Sequence, residues 1–224
     1  MNKKVPFILM SISAVLLTAC DSKIKKERFT EQLSATKANI SFESETLDDV
    51  HIAGDKLGFN QTNYKKGEFY SKVSGLILSR NQEYTWKAED GKYYHYEKNL
   101  LVNVDKEITK EEFDVYMENA RYDVFAELNK GISETEKLMS EEAEEYYDIQ
   151  NSYIRTASGE YKFSSTMKYK AIKDGVEEEA TRKVTFYMKK NLPVKYVVKT
   201  DGESTYKYTY GKAEFTEPNR GTNS

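Results

Sequence analysis

The chain has one cysteine, Cys20, in 224 residues. No disulfide can form within it, so an exported fold would have to stand on packing alone. Histidine is almost as scarce, with His51 and His95 the only two. A zinc centre wants several convergent ligands. The one local set that offers three is Asp48, Asp49 and His51, and a polar loop at a strand start is the simpler account of it. His95, flanked by Tyr93, Tyr94 and Tyr96, reads as a strand-surface residue. A Gly-x-Ser-x-Gly elbow and a phosphate-binding Gly-x4-Gly-Lys-Ser/Thr loop are both missing from the sequence. Carboxylates are plentiful but carry no positional signature, so a hydrolase acting on cell-wall polymer has no site to rest on. No cofactor or metal is expected.

A long apolar run is also lacking. Val5 to Cys20 carries no charge, but it is shorter than the ~20 residues of a membrane helix. Lys3 and Lys4 stand before it, and Leu17-Thr18-Ala19-Cys20 closes it. A charged head, an apolar middle and small residues before a cut make a secretory signal. Cysteine directly after a Leu-x-Ala junction resembles the bacterial lipobox. That resemblance implies that Cys20 receives a diacylglycerol and becomes the mature N-terminus, held at the extracytoplasmic face of the cell membrane. Two acyl chains are what stable attachment requires. A thiol committed to lipid is not available as a nucleophile. An uncleaved N-terminal anchor is the alternative.

Basic excess is the third absence. Removing residues 1–19 takes away Lys3 and Lys4, leaving 32 basic against 37 acidic residues, a net charge of −5. A nucleic-acid partner asks for a basic surface, so none is expected. The chain is rich in aromatics, 13%, with 18 Tyr against one Trp, and charged residues make up 32%. It can build a core beneath a very polar surface, and its length suits one large domain, with two small ones the alternative.

The first elements after Cys20 are a charged leader, 21–28, and a helix over about 24–38 with Ile24, Phe29, Leu33, Thr36 and Ile40 near one face. Lys23, Lys25, Lys26 and Arg28 form either a solvated face or a basic patch beside the anchor that meets anionic lipid. From Ile40 the period becomes two, with Ile40, Phe42 and Ser44 alternating as in a strand. Further strands are expected at 50–52, 57–64, 68–73, 76–79, 83–88 and 92–97, the last two joined by an Asp90-Gly91 hairpin turn. Thr109-Lys110-Glu111-Glu112 matches a capping box and opens a helix over 110–129 that Gly131 would end. Ser133-Glu134-Thr135-Glu136 then opens a second helix reaching about 147. Its acidic run, 141–145, reads as a solvated face because carboxylates spread round a helix do not converge. Residues 149–158 stay unassigned.

The last third alternates most regularly. Tyr161, Phe163, Met167, Tyr169 and Ala171 share one face, and Val184, Phe186 and Met188 follow after Asp174-Gly175. Pro193 belongs at the first residue of a strand, where no ladder donor is needed. Val194, Tyr196 and Val198 lead to Asp201-Gly202, then Tyr206, Tyr208 and Tyr210 share a face. These three, with Tyr84, Trp86, Tyr94 and Tyr96, form either a sticky surface or ordinary half-buried strands.

The stretch Val184-Thr185-Phe186-Tyr187-Met188-Lys189-Lys190-Asn191-Leu192-Pro193-Val194-Lys195-Tyr196, with the order of elements over 24–215, resembles the LolA/LolB-like superfamily of lipoprotein carriers and receptors and the related lipid-binding lipoproteins. The turn lacks the family's common glycine, and Met188-Lys189 stands where an aspartate often follows the strand. The resemblance implies an α+β fold, a strongly curved antiparallel sheet or half-barrel meander with helices covering its concave face, and an apolar cavity for acyl chains. The domain organisation expected is a signal peptide over 1–19, a tether over 20–28, a single domain over 29–216 and a flexible tail over 217–224. Two functions follow. In one, a non-enzymatic, membrane-anchored lipoprotein binds an apolar or lipid ligand. In the other, the core is filled and the protein docks another envelope protein.

Overall fold

The computed structural model describes residues 20–55, 58–75, 80–140 and 143–215. The signal segment 1–19, the strand expected at 76–79, Glu141 and Glu142 of the acidic run, and the tail 217–224 lie outside the described residues. In chain order the elements are β1 (Ser22–Lys23), α1 (Lys26–Asn39), a 3-10 turn (Glu45–Asp48), β2 (Asp49–Asp55), β3 (Gly58–Lys65), β4 (Glu68–Gly75), β5 (Arg80–Lys87), β6 (Tyr93–Lys98), β7 (Asn103–Ile108), α2 (Lys110–Ser140), β8 (Tyr147–Arg155), β9 (Tyr161–Lys173), β10 (Val176–Lys189), β11 (Leu192–Lys199) and β12 (Glu203–Tyr210).

The twelve strands make one open antiparallel sheet in the order β1-β8-β9-β10-β11-β12-β2-β3-β4-β5-β6-β7. It is two meanders, β2–β7 and β8–β12, and β12 closes them into one sheet by pairing with β2 through Tyr208 and Ile52. The turns explain the meanders. Asp174 and Gly175 both have positive φ, 51° and 78°, the primed-turn geometry that matches strand twist. Lys190 and Asn191 adopt the same conformation, 52° and 57°, without a glycine. Asn39 Nδ2 donates to the Asn191 carbonyl at 3.1 Å, and Gln32 donates to the Asn191 side chain. Both donors belong to α1.

Antiparallel partners directly opposite one another share a face, so the register sorts the side chains. The row Phe163, Phe186, Tyr196, Tyr206 lies on the face that carries the helices. Helix α2 packs on β3–β6 and on β8, β10 and β11, while α1 packs on α2, β9 and β11. Phe29, Leu33, Leu128, Ile132, Phe163 and Phe186 are buried in the resulting core.

Several expectations change. Ile40–Ser44 is a turn rather than a strand: Ile40 caps α1 through its N–H to the Thr36 carbonyl, and Ser44 Oγ accepts from Thr46 N at 3.2 Å to start the 3-10 turn. Arg121 of α2 supplies the partners a ladder would have given, donating to the Phe42 and Ser44 carbonyls at 2.9 Å each and pairing with Asp48 at 2.5 Å. The two helices expected at 110–129 and 133–147 are one helix of 31 residues. The Thr109 capping box does form, with Glu112 N to Thr109 Oγ1 at 3.1 Å and Thr109 N to Glu112 Oε2 at 2.9 Å. Gly131 does not end α2; it lies inside it against the core. A Cβ there would come within 2.8 Å of Phe186 Cδ2 and 3.1 Å of Tyr196 Cδ2, so the missing side chain is what lets helix and sheet approach. Residues 147–155 are β8 and 103–108 are β7, neither of which alternation in the sequence marks out.

Candidate functional site

Cys20 is exposed. The chain after it joins the sheet edge at once. Asp21 Oδ1 accepts from Ala157 N at 2.9 Å, Ser22 and Lys23 pair with Arg155 and Ile154, and Ile24 N donates to the Tyr153 carbonyl at 3.0 Å. Lys26 then begins α1 and gives its ammonium to the Met139 carbonyl at 2.8 Å. Among the described residues no helix is long and apolar enough to cross a membrane.

The helix-bearing face opens into a cleft of about 300 Å³ between α2 and the sheet, the lower end of the ligand-pocket range. Ile52, Thr62, Phe69, Ser71 and Val73 form its floor, Tyr206 and Glu83 stand at its sides, and Asp123, Val124 and Glu127 of α2 roof it. The floor follows from register, because Ile52, Thr62, Ser71 and Glu83 form one row across β2–β5. Two of those four carry short side chains, so the row leaves space where α2 passes over it.

Electrostatics in the cleft are negative. Burial, then Glu97 opposite it on β6 and Asp123 on α2, push the Glu83 carboxyl above its ordinary value of 4.5. Glu127 Oε1 is buried and has no hydrogen-bond partner among the described residues; its other oxygen stands 4.0 Å from Lys130 Nζ. That ammonium in turn lies 5.2 Å from the Tyr206 ring. Burial is also the main reason the Tyr208 hydroxyl holds its proton well above pH 10, with Glu127 adding to it. The cleft therefore offers apolar walls and hydrogen-bond acceptors. Among the described residues no three His, Cys, Asp or Glu side chains converge to hold a metal ion.

The residues singled out in the sequence mostly have structural partners. Asp48 pairs with Arg121, Asp49 Oδ1 accepts from Ala213 N, and His51 Nδ1 meets Asn63 Oδ1, so the set does not converge. His95 is not on the surface. It is 3% exposed, stacks on Tyr116 of α2 with ring centres 4.0 Å apart, and contacts Thr85 Oγ1 at 2.9 Å. Burial holds its pKa below the usual imidazole value. Glu145 of the acidic run pairs with Lys137.

The tyrosines do not form one surface. Tyr206, Tyr208 and Tyr210 face the helices. Tyr84, Trp86 and Tyr96 lie on the opposite face in a small core of their own with Tyr70, Tyr94 and Phe215. The segment after β12 is tied down over that face by Asn63 Nδ2 to the Glu214 carbonyl at 2.6 Å. Glu83 and Glu127, which the sequence does not single out, become neighbours only through the crossing of α2.

No family model matches the chain, and no curated protein matches it. Among solved structures it is similar to the DNA polymerase III beta chain of Streptococcus pneumoniae, at 9% identity over 88% of this chain and 66% of that one, TM-score 0.18. It is similar also to the DNA polymerase sliding clamp of Bacillus subtilis, at 8% identity over 89% and 67%, TM-score 0.17, and to that of Pseudomonas aeruginosa, at 8% over 88% and 66%, TM-score 0.17. At such scores the likeness carries no argument about fold or function.

Proposed function

We propose that this chain is a non-enzymatic lipoprotein of the extracytoplasmic membrane face, anchored through Cys20, that binds a small amphiphile between its sheet and α2. The sheet is strongly curved in this reading, as in the LolA/LolB-like fold, with both helices on its concave side. Supporting that shape, α2 spans ~46 Å at 1.5 Å per residue and packs on strands of both meanders. The cleft is the observation that carries the binding role. Phe69, Ile52 and Val124 would hold an apolar segment of the ligand, while the acceptors of Glu83, Asp123 and Glu127 would take a donor-bearing head group. A lipid fragment or a lipidated peptide end has that chemistry.

Native mass spectrometry of protein purified from membranes tests it. A bound mass should accompany the wild type and disappear from a Ser71→Trp variant, whose indole fills the cleft, with the circular dichroism unchanged. Protein that is ligand-free in both forms would refute the binding role. The interaction-module reading keeps one observation in its favour: beneath α1 and the second half of α2, Phe163, Met167, Phe186 and Met188 are each 0% exposed and fill the interior.

A further inference from the structure

The face of β8–β12 turned away from the helices carries a different chemistry. Following direct cross-strand partners from the N-terminal edge gives one row: Lys23, Ile154, Lys162, Tyr187, Lys195, Lys207. Beside it runs a second row, Thr166, Lys183, Lys199, Glu203. The two border a groove of about 560 Å³ in which Glu203 is the single acid and threonine hydroxyls stand between the ammonium groups. Thr185, at the bottom, is only 7% exposed although it points away from the main core.

The lysines here are set against one another. Lys195 lies directly opposite Lys207, and Lys183 directly opposite Lys199, an arrangement that destabilises a sheet unless something neutralises it. Lys162 and Lys195 both hang over the Tyr187 ring, at 5.7 and 5.5 Å, so the ring spaces them without cancelling either charge. Among the described residues, the ion pairs on this face of the strands belong instead to Lys168 and Lys170, farther along β9; Arg182 of β10 pairs on the other face, with Glu134 of α2. In a chain with more acids than bases, this is a concentrated positive face.

Position says what covers it. Lys23 opens the first row three residues after Cys20 and is fixed to the edge of the sheet. From there the row extends five strand spacings, ~24 Å at ~4.8 Å each. A diacylglycerol on Cys20 would put the start of the row at the bilayer surface, where each nearby lysine gains roughly fivefold in partitioning from an anionic leaflet.

Resting on the proposed anchoring at Cys20, we infer that the helix-free face of β8–β12 is the membrane-apposed surface, and that Lys23, Lys162, Lys183, Lys195, Lys199 and Lys207 bind the phosphate head groups of anionic lipids in the leaflet that holds the anchor. The helix-side cleft then faces away from that leaflet.

The test uses the chain from residue 20 onward with Cys20→Ser, which retains every described element and has no acyl chain, so its outcome is independent of whether Cys20 is lipidated. It is sedimented with vesicles of phosphatidylcholine alone or with 30% phosphatidylglycerol, at low and high salt. Binding should appear only with phosphatidylglycerol and vanish at high salt. Lys162→Gln, Lys183→Gln, Lys195→Gln and Lys199→Gln together should weaken it by roughly six hundredfold, about fivefold for each of the four. The charge-matched control Lys65→Gln, Lys66→Gln, Lys98→Gln and Lys173→Gln should change it less than about fivefold. Lys183→Gln alone should raise the melting temperature at low salt, because it removes a like-charge pair; this confirms that the groove variants fold. Equal loss in both sets, no binding to anionic vesicles, or binding to soluble poly(glycerol phosphate) without binding to vesicles would overturn the inference.

Discussion

Gly131→Ala tests how α2 is held on the sheet. Alanine in a helix interior is favoured over glycine by about 1 kcal/mol, so on an exposed helix the change would stabilise. Here the new methyl would stand 2.8 and 2.9 Å from two atoms of the Phe186 ring and 3.1 Å from Tyr196. Phe186 is 0% exposed and sits between Phe163 and Tyr196 in its row, so it has little room to retreat. Overpacking of this kind costs about 1–3 kcal/mol, which outweighs the propensity gain and leaves the variant up to about 2 kcal/mol less stable. Loss of stability alone would also follow if Gly131 were a left-handed helix cap. The double-mutant cycle separates the two accounts. In a Phe186→Leu background the ring is gone, so Gly131→Ala should become neutral or stabilising, a coupling of about 2 kcal/mol, within the range measured for residues in contact. Urea unfolding followed by circular dichroism at 222 nm reads all four proteins. Additive effects would refute the packing account, and with it the placing of Asp123 and Glu127 over the cleft by one rigid helix.

Two further outcomes follow from particular residues. The Glu83 carboxyl is raised above its ordinary 4.5 by burial, Glu97 and Asp123. Its ionisation therefore opposes folding: any stability it permits is full below about pH 4.5 and lost as the pH rises through the raised value. Glu83→Gln should raise the melting temperature at pH 7 and have no effect below about pH 4; a gain that persisted at low pH would contradict this. Lys190, at φ 52° in the β10–β11 turn, sits where a side chain costs about 1 kcal/mol. Lys190→Gly should therefore stabilise by up to that amount in urea unfolding, and destabilisation would show that the turn is relaxed as it stands.

Local chemistry made some of this fold legible and hid the rest. The Thr109 capping box, the Asp174-Gly175 turn and the alternation through Phe163 and Val184 are written in adjacent residues, so helix starts and hairpins could be read from them. Gly131 could not be, because whether glycine ends a helix or admits a neighbour depends on Phe186, 55 positions later. β7, Asn-Val-Asp-Lys-Glu-Ile, escaped because an edge strand is paired on one side only and needs no apolar alternation; its charges suit an edge that must not recruit another chain. His95 looked like surface because Tyr116, which covers it, belongs to α2. The candidate site suffered most from this. Glu83 lies 40 positions before Asp123, which is a helical turn from Glu127, and the lysine rows emerge only once the register of six strands is known. The proposal for Cys20 needs no fold at all, because it rests on the four residues that end with it.

Everything assigned to the membrane depends on that cysteine, and mass spectrometry of the N-terminal peptide tests it directly. Protein extracted from the membrane fraction and digested should yield a first peptide that begins at Cys20 and carries the added mass of a diacylglycerol. A Cys20→Ala form should yield none with that mass. A membrane-extracted protein that still bore residues 1–19, or whose Cys20 carried an unmodified thiol, would contradict the account.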